Sequence, residues 1–212
     1  VRVGYGRNSV SQCRFSDLEI YDSNRGLAVF VRDEGSITGV TFSRCKVETR
    51  LVDGGWWGHG EPIHLSVARQ SDRVYELGRL ARVRFEEVDA VGESGIFCHG
   101  DAESPIHDIR FDSVAFSPRL SALSRLRGRI DLRPIAGRAG ERVLDSIPAV
   151  SIAHARAVNC RDFRVTLPEV GWPSVLATES IHGQPVLARS IDERRYLLES
   201  SNSVLSGAAE SS

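Results

Sequence analysis

The sequence predicts an all-β fold, a right-handed parallel β-helix (a single-stranded solenoid) with long loop insertions, and three observations predict it. First, five segments share the template apolar-x-apolar-x-x-apolar-x-apolar: CRFSDLEI from Cys13, VTFSRCKV from Val40, VRFEEVDA from Val83, IRFDSVAF from Ile109 and VNCRDFRV from Val158. Second, the apolar period inside each segment is two, then three, then two. Two short strands joined by a one-residue corner give that pattern, and a helix does not. Third, most copies are followed by another short apolar strand, often opened by glycine or proline: GLAVF at Gly26, PIHLS at Pro62, GIFCH at Gly95 and PAVSI at Pro148, with SVLA at Ser174 as a candidate continuation. Three short strands per turn, at roughly 22–30 residues per coil before insertions, describe stacked coils that bury their faces against one another. A sandwich of short strands fits the turn signals but does not require one template in five copies.

In chain order, VRVGYG at Val1 reads as a strand without a lead-in, and the first template copy follows at Cys13. The aligned positions Phe15, Phe42, Phe85, Phe111 and Cys160 form one expected inward column. Its rings should repeat at about 4.8 Å along the axis. The partner column is Leu18, Cys45, Val88, Val114 and Phe163. Three stretches break the regular spacing: Thr49 to Glu61, Arg69 to Gly78, and Ser117 to Ile147 with GRIDLRP. Loops of this length on a regular scaffold are more often binding walls than connectors. Residues 1–190 are expected to form the coils and 191–212 a C-terminal segment, partly disordered because SSNSVLSGAAESS has no periodicity.

The 212 residues carry a net charge of −1, so no global field draws nucleic acid or an anionic membrane, and neither is an expected partner. A monomer is expected. No apolar run approaches the roughly 18 residues needed to span a bilayer. Cys13, Cys45, Cys98 and Cys160 are far apart without CxxC spacing, and His107, His154 and His182 have no metal spacing, so no metal or cofactor is expected.

RVGYG, SNRGLAVFVRDEGSI, WWGHGEPI, ESPI and DLRP occur in that order between Val1 and about Pro185. With the coils aligned, this ordered set resembles the polygalacturonase-like family, glycoside hydrolase family 28, in its bacterial branch. The resemblance implies a right-handed β-helix that hydrolyses pectin-type galacturonans by inversion, without a metal, in a secreted or periplasmic protein. Inversion uses carboxyl groups about 6.5–9.5 Å apart to protonate the leaving oxygen and activate water. The family supplies these from Asn-Thr-Asp and Asp-Asp motifs, and neither occurs here. RVGYG matches the strand after the family's Gly-His-Gly, so the expectation is a C-terminal excerpt whose catalytic coils precede Val1. On that expectation this chain is inactive by itself. NRGLAVF occupies the coil where the family carries Arg-Ile-Lys, placing Ala28 and Phe30 at the two cation positions. Arg25 and Arg32 flank that strand as possible replacements for gripping a uronate carboxylate. GHG at Gly58 falls in an insertion and is read as coincidental.

If Leu27 and Val29 point inward, the period of two turns Ala28 and Phe30 outward, together with Arg2, His64, Ser66, Phe97 and His99 on neighbouring coils. The substrate-binding candidates are therefore Arg2, Arg25, Phe30, Arg32, His64, Phe97 and His99 along an outer groove. Trp56 and Trp57 join them as indoles for stacking on a pyranose, one of the two expected to pin the loop, and Glu61 as a hydroxyl-bonding carboxylate. The competing reading is that the insertions cover this face and bury the same side chains. Asp101 and Glu103 beside His99 form an acidic cluster that suits acid–base work but reads better as a solvated turn. Asp131 and Arg133 read as an internal ion pair. No catalytic residue is assigned. The rival function is a non-catalytic carbohydrate-binding or adhesion β-helix. A β-helical lyase would need a calcium-binding acidic set, which is missing.

Overall fold

The structure is a computed structural model and describes residues 1–4, 8–54, 58–69, 76–127, 129–131, 141–143 and 146–200. Its strands are β1 (Arg2–Gly4), β2 (Val10–Ser16), β3 (Glu19–Ser23), β4 (Arg25–Arg32), β5 (Ile37–Thr49), β6 (Glu61–Ala68), β7 (Leu80–Gly92), β8 (Ile96–His99), β9 (Ile106–Pro118), β10 (Arg129–Asp131), β11 (Glu141–Val143), β12 (Pro148–Thr166), β13 (Ser174–His182), β14 (Val186–Ser190) and β15 (Arg195–Ser200). The one helical element among the described residues is a 3₁₀ turn, Ser124–Leu126. No helix is long and apolar enough to cross a membrane.

One sheet holds thirteen of these strands, in the order β1-β4-β6-β8-β12-β9-β7-β5-β2 along its main path. Pairing along that path is parallel throughout. The long strand β12 belongs to both halves: its first part pairs with β8 and its second with β9. The sheet thus turns back on itself around one core. Leu27, Val29, Ile63, Leu65, Cys98 and Ile152 from one half meet Val40, Phe42, Val83, Phe85, Ile109 and Phe111 from the other. Within this sheet the antiparallel pairings among the described residues are those of β15, which lies along the end of β12 and forms a hairpin with β14. Residues 195–200 are therefore ordered as a strand, while 201–212 lie outside the described residues.

The five template copies stack in the expected register: Phe15 opposite Phe42, Phe42 opposite Phe85, Phe85 opposite Phe111 and Phe111 opposite Cys160. Ring centroids are 5.2, 5.4 and 5.2 Å apart along the four phenylalanines, nearly coplanar at 17°, 10° and 9°. Cys160 is smaller than the ring below it. Phe163, from the adjacent column, closes the stack with its centroid 4.9 Å from Phe111, tilted by 32°. The first copy lies at the edge of the sheet, so Cys13, Phe15, Leu18 and Ile20 are only partly buried. Burial pushes the thiols of Cys98 and Cys160 up, the latter to about 12, so both behave as core residues.

The one-residue corner is physically an αL residue, and it recurs at one register position: Asp17, Arg44, Glu87, Ser113 and Asp162, with φ between 52° and 57°. A second αL column lies five residues earlier: Gln12, Gly39, Arg82, Asp108 and Ala157. Sequence reading missed it because those five side chains share no chemical class. Two glycines have a separate reason. A Cβ on Gly26 would lie 2.3 Å from the Pro62 carbonyl oxygen, and one on Gly95 2.5 Å from that of Pro148. Glycine opens those strands because the next level's backbone passes too close for a side chain.

Two stability tests follow from these columns. Phe85→Ala, in the middle of the stack, should cost about 3–5 kcal/mol, and Phe15→Ala at its edge clearly less. Ala157→Gly should raise the melting temperature by relieving an αL alanine, which costs roughly 1–2 kcal/mol. Ala115→Gly, at an exposed position in extended backbone, should lower it. Equal shifts in the latter pair would remove the αL assignment.

Candidate functional site

The strands β4, β6, β8 and the first part of β12 place their alternate residues on two adjacent rungs. One rung is Ala28–His64–Phe97–Ser151, continued to Arg2 on β1; the other is Phe30–Ser66–His99–Ala153. The parity is the one the sequence predicts. The environment is not, because these side chains do not line an open groove. His64, Ser66 and Phe97 are 0% exposed, Phe30 3% and His99 5%, and only Arg2 is exposed. The competing reading, a covered face, is what the structure has. The described end of the Thr49 to Glu61 excursion shows part of the cause. Thr49 Oγ1 donates to the Gly60 carbonyl at 2.7 Å, and Gly60 donates its N–H to Asn24 at 2.9 Å, folding Gly58–Gly60 against β4.

Glu61 is the hub of this covered face. Its Oε1 accepts from Arg25 Nε at 2.9 Å and Nη2 at 2.7 Å, and from His64 Nδ1 at 3.0 Å; its Oε2 accepts the backbone N–H of His59. Both carboxylate oxygens are thus occupied at full burial. Burial alone would raise this carboxyl, but the Arg25 charge and the His64 hydrogen bond outweigh it and hold the group at about 2. Burial lowers His64 to about 4 against the pull of Glu61. Glu61 is therefore ionised and His64 neutral near pH 7. A carboxylate only accepts, so the His64 proton sits on Nδ1 and Nε2 presents a lone pair. That atom is buried and has no hydrogen-bond partner. The ring lies edge-on between Phe30 and Phe97, at centroid distances of 4.8 and 5.9 Å.

Phe30 stands where the resemblance puts a cation, and two guanidinium groups pack on it. The central carbon of Arg25 lies 4.9 Å from the ring centroid and that of Arg32 4.6 Å. Arg32 also donates to the carbonyls of Val31 and Ser66 and to Ser66 Oγ. His99 Nε2 lies 2.7 Å from Ser151 Oγ. The structure brings Arg25, Phe30, Arg32, Glu61, His64, Phe97 and His99 together on this face, where they contact one another and also Ser66, Ser151 and the His59 backbone. Ser66, placed on this face by its parity but not among the binding candidates, belongs to the same network, and so do Ser151 and the His59 backbone, which went unread. Ser66 and Ser151 had a signal, since their register places them on the two rungs. The His59 contact had none, because it depends on how the excursion folds back.

Trp56, Trp57 and Arg133 lie outside the described residues, as does the side chain of Asp131. Asp101 and Glu103 sit in a tight turn: Asp101 and Ser104 exchange backbone hydrogen bonds, and Asp101 Oδ1 accepts the Glu103 N–H at 2.9 Å. Glu103 pairs with Arg69 on the surface, so this cluster is a solvated turn. His107 and His182 are exposed and His154 half-buried. Among the described residues no group of three His, Cys, Asp or Glu side chains is placed to hold a metal ion. Chemically, the covered cluster is an ionised acid fully engaged by an arginine and a neutral imidazole. It can order its surroundings, but a polymer cannot reach it.

The pH dependence follows. The folded value of His64 lies below the ordinary 6.5, so its contribution is complete above that pH and drains away toward about 4. Glu61 contributes above its ordinary 4.5 and loses that contribution toward about 2. Both act in the same direction, and stability falls with acid, by at most about 1.4 kcal/mol per pH unit for one proton. Thermal melts should drop between pH 6.5 and 4, and His64→Gln should flatten that drop. Glu61→Gln should cost about 3–5 kcal/mol, because Arg25 keeps a buried charge without its counter-ion. A wild-type melting temperature that stays flat to pH 4 would contradict the assignment. No family model matches the chain, and no curated protein and no solved structure is similar enough to it to count as a match.

Proposed function

We propose that the parallel registers are successive coils of a right-handed parallel β-helix, and that the chain is the sugar-binding portion of a polygalacturonase-like protein acting on pectin-type polysaccharides. The observation that carries this reading is the recurrence of both αL columns at the same register in five successive paired strands. Such recurrence is expected when one coil is repeated along an axis. The right hand follows from the strong preference of parallel crossovers for that sense. A scaffold of this kind offers a flat lateral face with a short repeat, suited to a linear polymer. On this reading the protein is secreted or periplasmic, needs no metal, and carries its inverting carboxylates on coils outside these 212 residues.

The second reading, a non-catalytic carbohydrate-binding or adhesion β-helix, is favoured by Glu61. The acid nearest the expected groove is buried and held by Arg25 and His64. Both readings expect binding without hydrolysis from this chain. The purified chain should be retained on immobilised polygalacturonate or pectin and release no reducing ends from either. Failure of retention on both would remove both readings. Turnover that survives purification and disappears in Asp101→Asn, a change in a solvated turn, would place a working acid in this chain and overturn the assignment of catalysis elsewhere.

A further inference from the structure

We propose that an exposed arginine strip on the opposite half of the sheet binds acidic polysaccharide, with the polymer lying across the strands along the coil axis. The strip straddles the first αL column and ends three residues before the second. Its outward positions are Ser11, Gln12 and Arg14 on β2, Thr38, Gly39 and Thr41 on β5, and Ala81, Arg82 and Arg84 on β7. It continues through His107, Asp108 and Arg110 on β9 to Arg156, Ala157 and Asn159 on β12. Five arginines, Arg14, Arg82, Arg84, Arg110 and Arg156, face one carboxylate, Asp108, which is paired with Arg110 at 3.1 Å. All five are exposed. No ion pair among the described residues engages Arg82, Arg84 or Arg156. Four strand spacings of about 4.8 Å extend the strip over roughly 19 Å.

A chain with a net charge of −1 therefore carries a concentrated positive band. The charge changes sign toward the second αL column. The next outward positions, Asp17, Arg44, Glu86, Glu87, Asp112, Arg161 and Asp162, are in acidic excess. Arg44 pairs with Asp17, Arg161 with Asp112 and Arg164 with Asp162. A polyanion is thus attracted to one band and repelled by its neighbour, which fixes its direction along the axis. At the β12 end the strip opens into a cleft of about 1080 Å³ between β9, β12 and the β14–β15 hairpin. Arg110, Arg161 and Arg189 line this cleft, balanced there by Asp112, Asp162 and Glu199, so the net positive charge lies on the strip itself. Guanidinium groups bind carboxylates in a bidentate fork, and β2, β7, β9 and β12 each carry at least one, on a strand spacing close to the length of one sugar.

The choice of a uronate polymer over nucleic acid has two supports. The strip contains no phenylalanine, tyrosine or tryptophan, whereas single-stranded nucleic acid is gripped by stacking platforms interleaved with basic residues. The choice also rests on the pectin-type reading above. The strip is separate from the covered Glu61–His64 face, so it offers the accessible surface that the expected groove does not.

The test is calorimetric titration of the full chain with oligogalacturonides at low and high salt, against the fully methyl-esterified oligomer and a single-stranded DNA oligonucleotide. Wild type should bind the acidic oligomer, lose affinity as salt rises, and bind the methyl ester and the DNA at least tenfold more weakly. Arg84→Glu and Arg14→Glu should each weaken the acidic oligomer tenfold or more and reduce the salt dependence. Both positions are exposed, so melting temperature should hold. Arg194→Glu, exposed beside the β14–β15 turn, should change neither affinity nor salt dependence. Unchanged affinity in both strip variants, with wild-type binding intact, overturns the strip and leaves the pectin reading standing. Equal affinity for the methyl ester, or preference for DNA, overturns the strip as a uronate site. Absence of binding to any pectic oligomer removes the strip and the pectin reading together.

Discussion

Everything in this protein depends on one constraint: neighbouring strands run parallel and stay in register. With that geometry, a side chain at one level must fit directly against its counterpart at the next, about 4.8 Å away. Flat aromatic rings meet the condition by stacking, and four phenylalanines do so with nearly coplanar planes. Where the column reaches Cys160 the space is filled by Phe163 from the next column, so the core stays closed although the repeat is imperfect. The same constraint explains glycine at Gly26 and Gly95, where the next level's carbonyl leaves no room for a Cβ. It also explains why residues as unlike as Arg44, Glu87 and Ser113 adopt the same αL conformation. A corner at one level forces a corner at the next, because the hydrogen-bond ladder on either side cannot slip by one residue without turning the apolar face outward.

The covered face shows what burial does to polar residues in such a stack. Glu61, Arg25 and His64 are each costly to bury alone, and they are tolerated because every formal charge has a partner within hydrogen-bond distance. Phe30 contributes by taking two guanidinium groups on its ring, so cationic groups that would otherwise face water are ordered around an aromatic centre. Such a cluster is poor evidence for net stability but favours one arrangement of the strand ends and of the returning excursion, since breaking any contact leaves a buried charge exposed to no solvent.

The corners also sort charge. Around the first αL column the outward positions are rich in arginine; at the second, and at the position just before it, they are rich in carboxylates, some paired across strands. Because a parallel in-register sheet repeats each position from strand to strand, a modest bias in most copies adds up to a band. The charge pattern of the whole chain cannot show this, since the bands nearly cancel in the total of −1.

The sequence by itself determined the all-β class, the five-copy register and the identity of the phenylalanine column, because periodicity in apolar residues is a local property of the chain. It also determined which residues share the polar face: Phe30, His64, Phe97 and His99 are grouped by parity alone. Three things needed the tertiary structure. The second αL column was illegible because backbone conformation there is imposed by the neighbouring strands rather than by residue type. The Glu61 contacts depend on a chain reversal between Thr49 and Gly60, whose closing hydrogen bonds join residues that no periodicity relates. Whether the polar face meets solvent was decided by what packs over it. Period-two alternation says only which side of a strand a residue is on, and both sides of a strand in a folded chain can be buried.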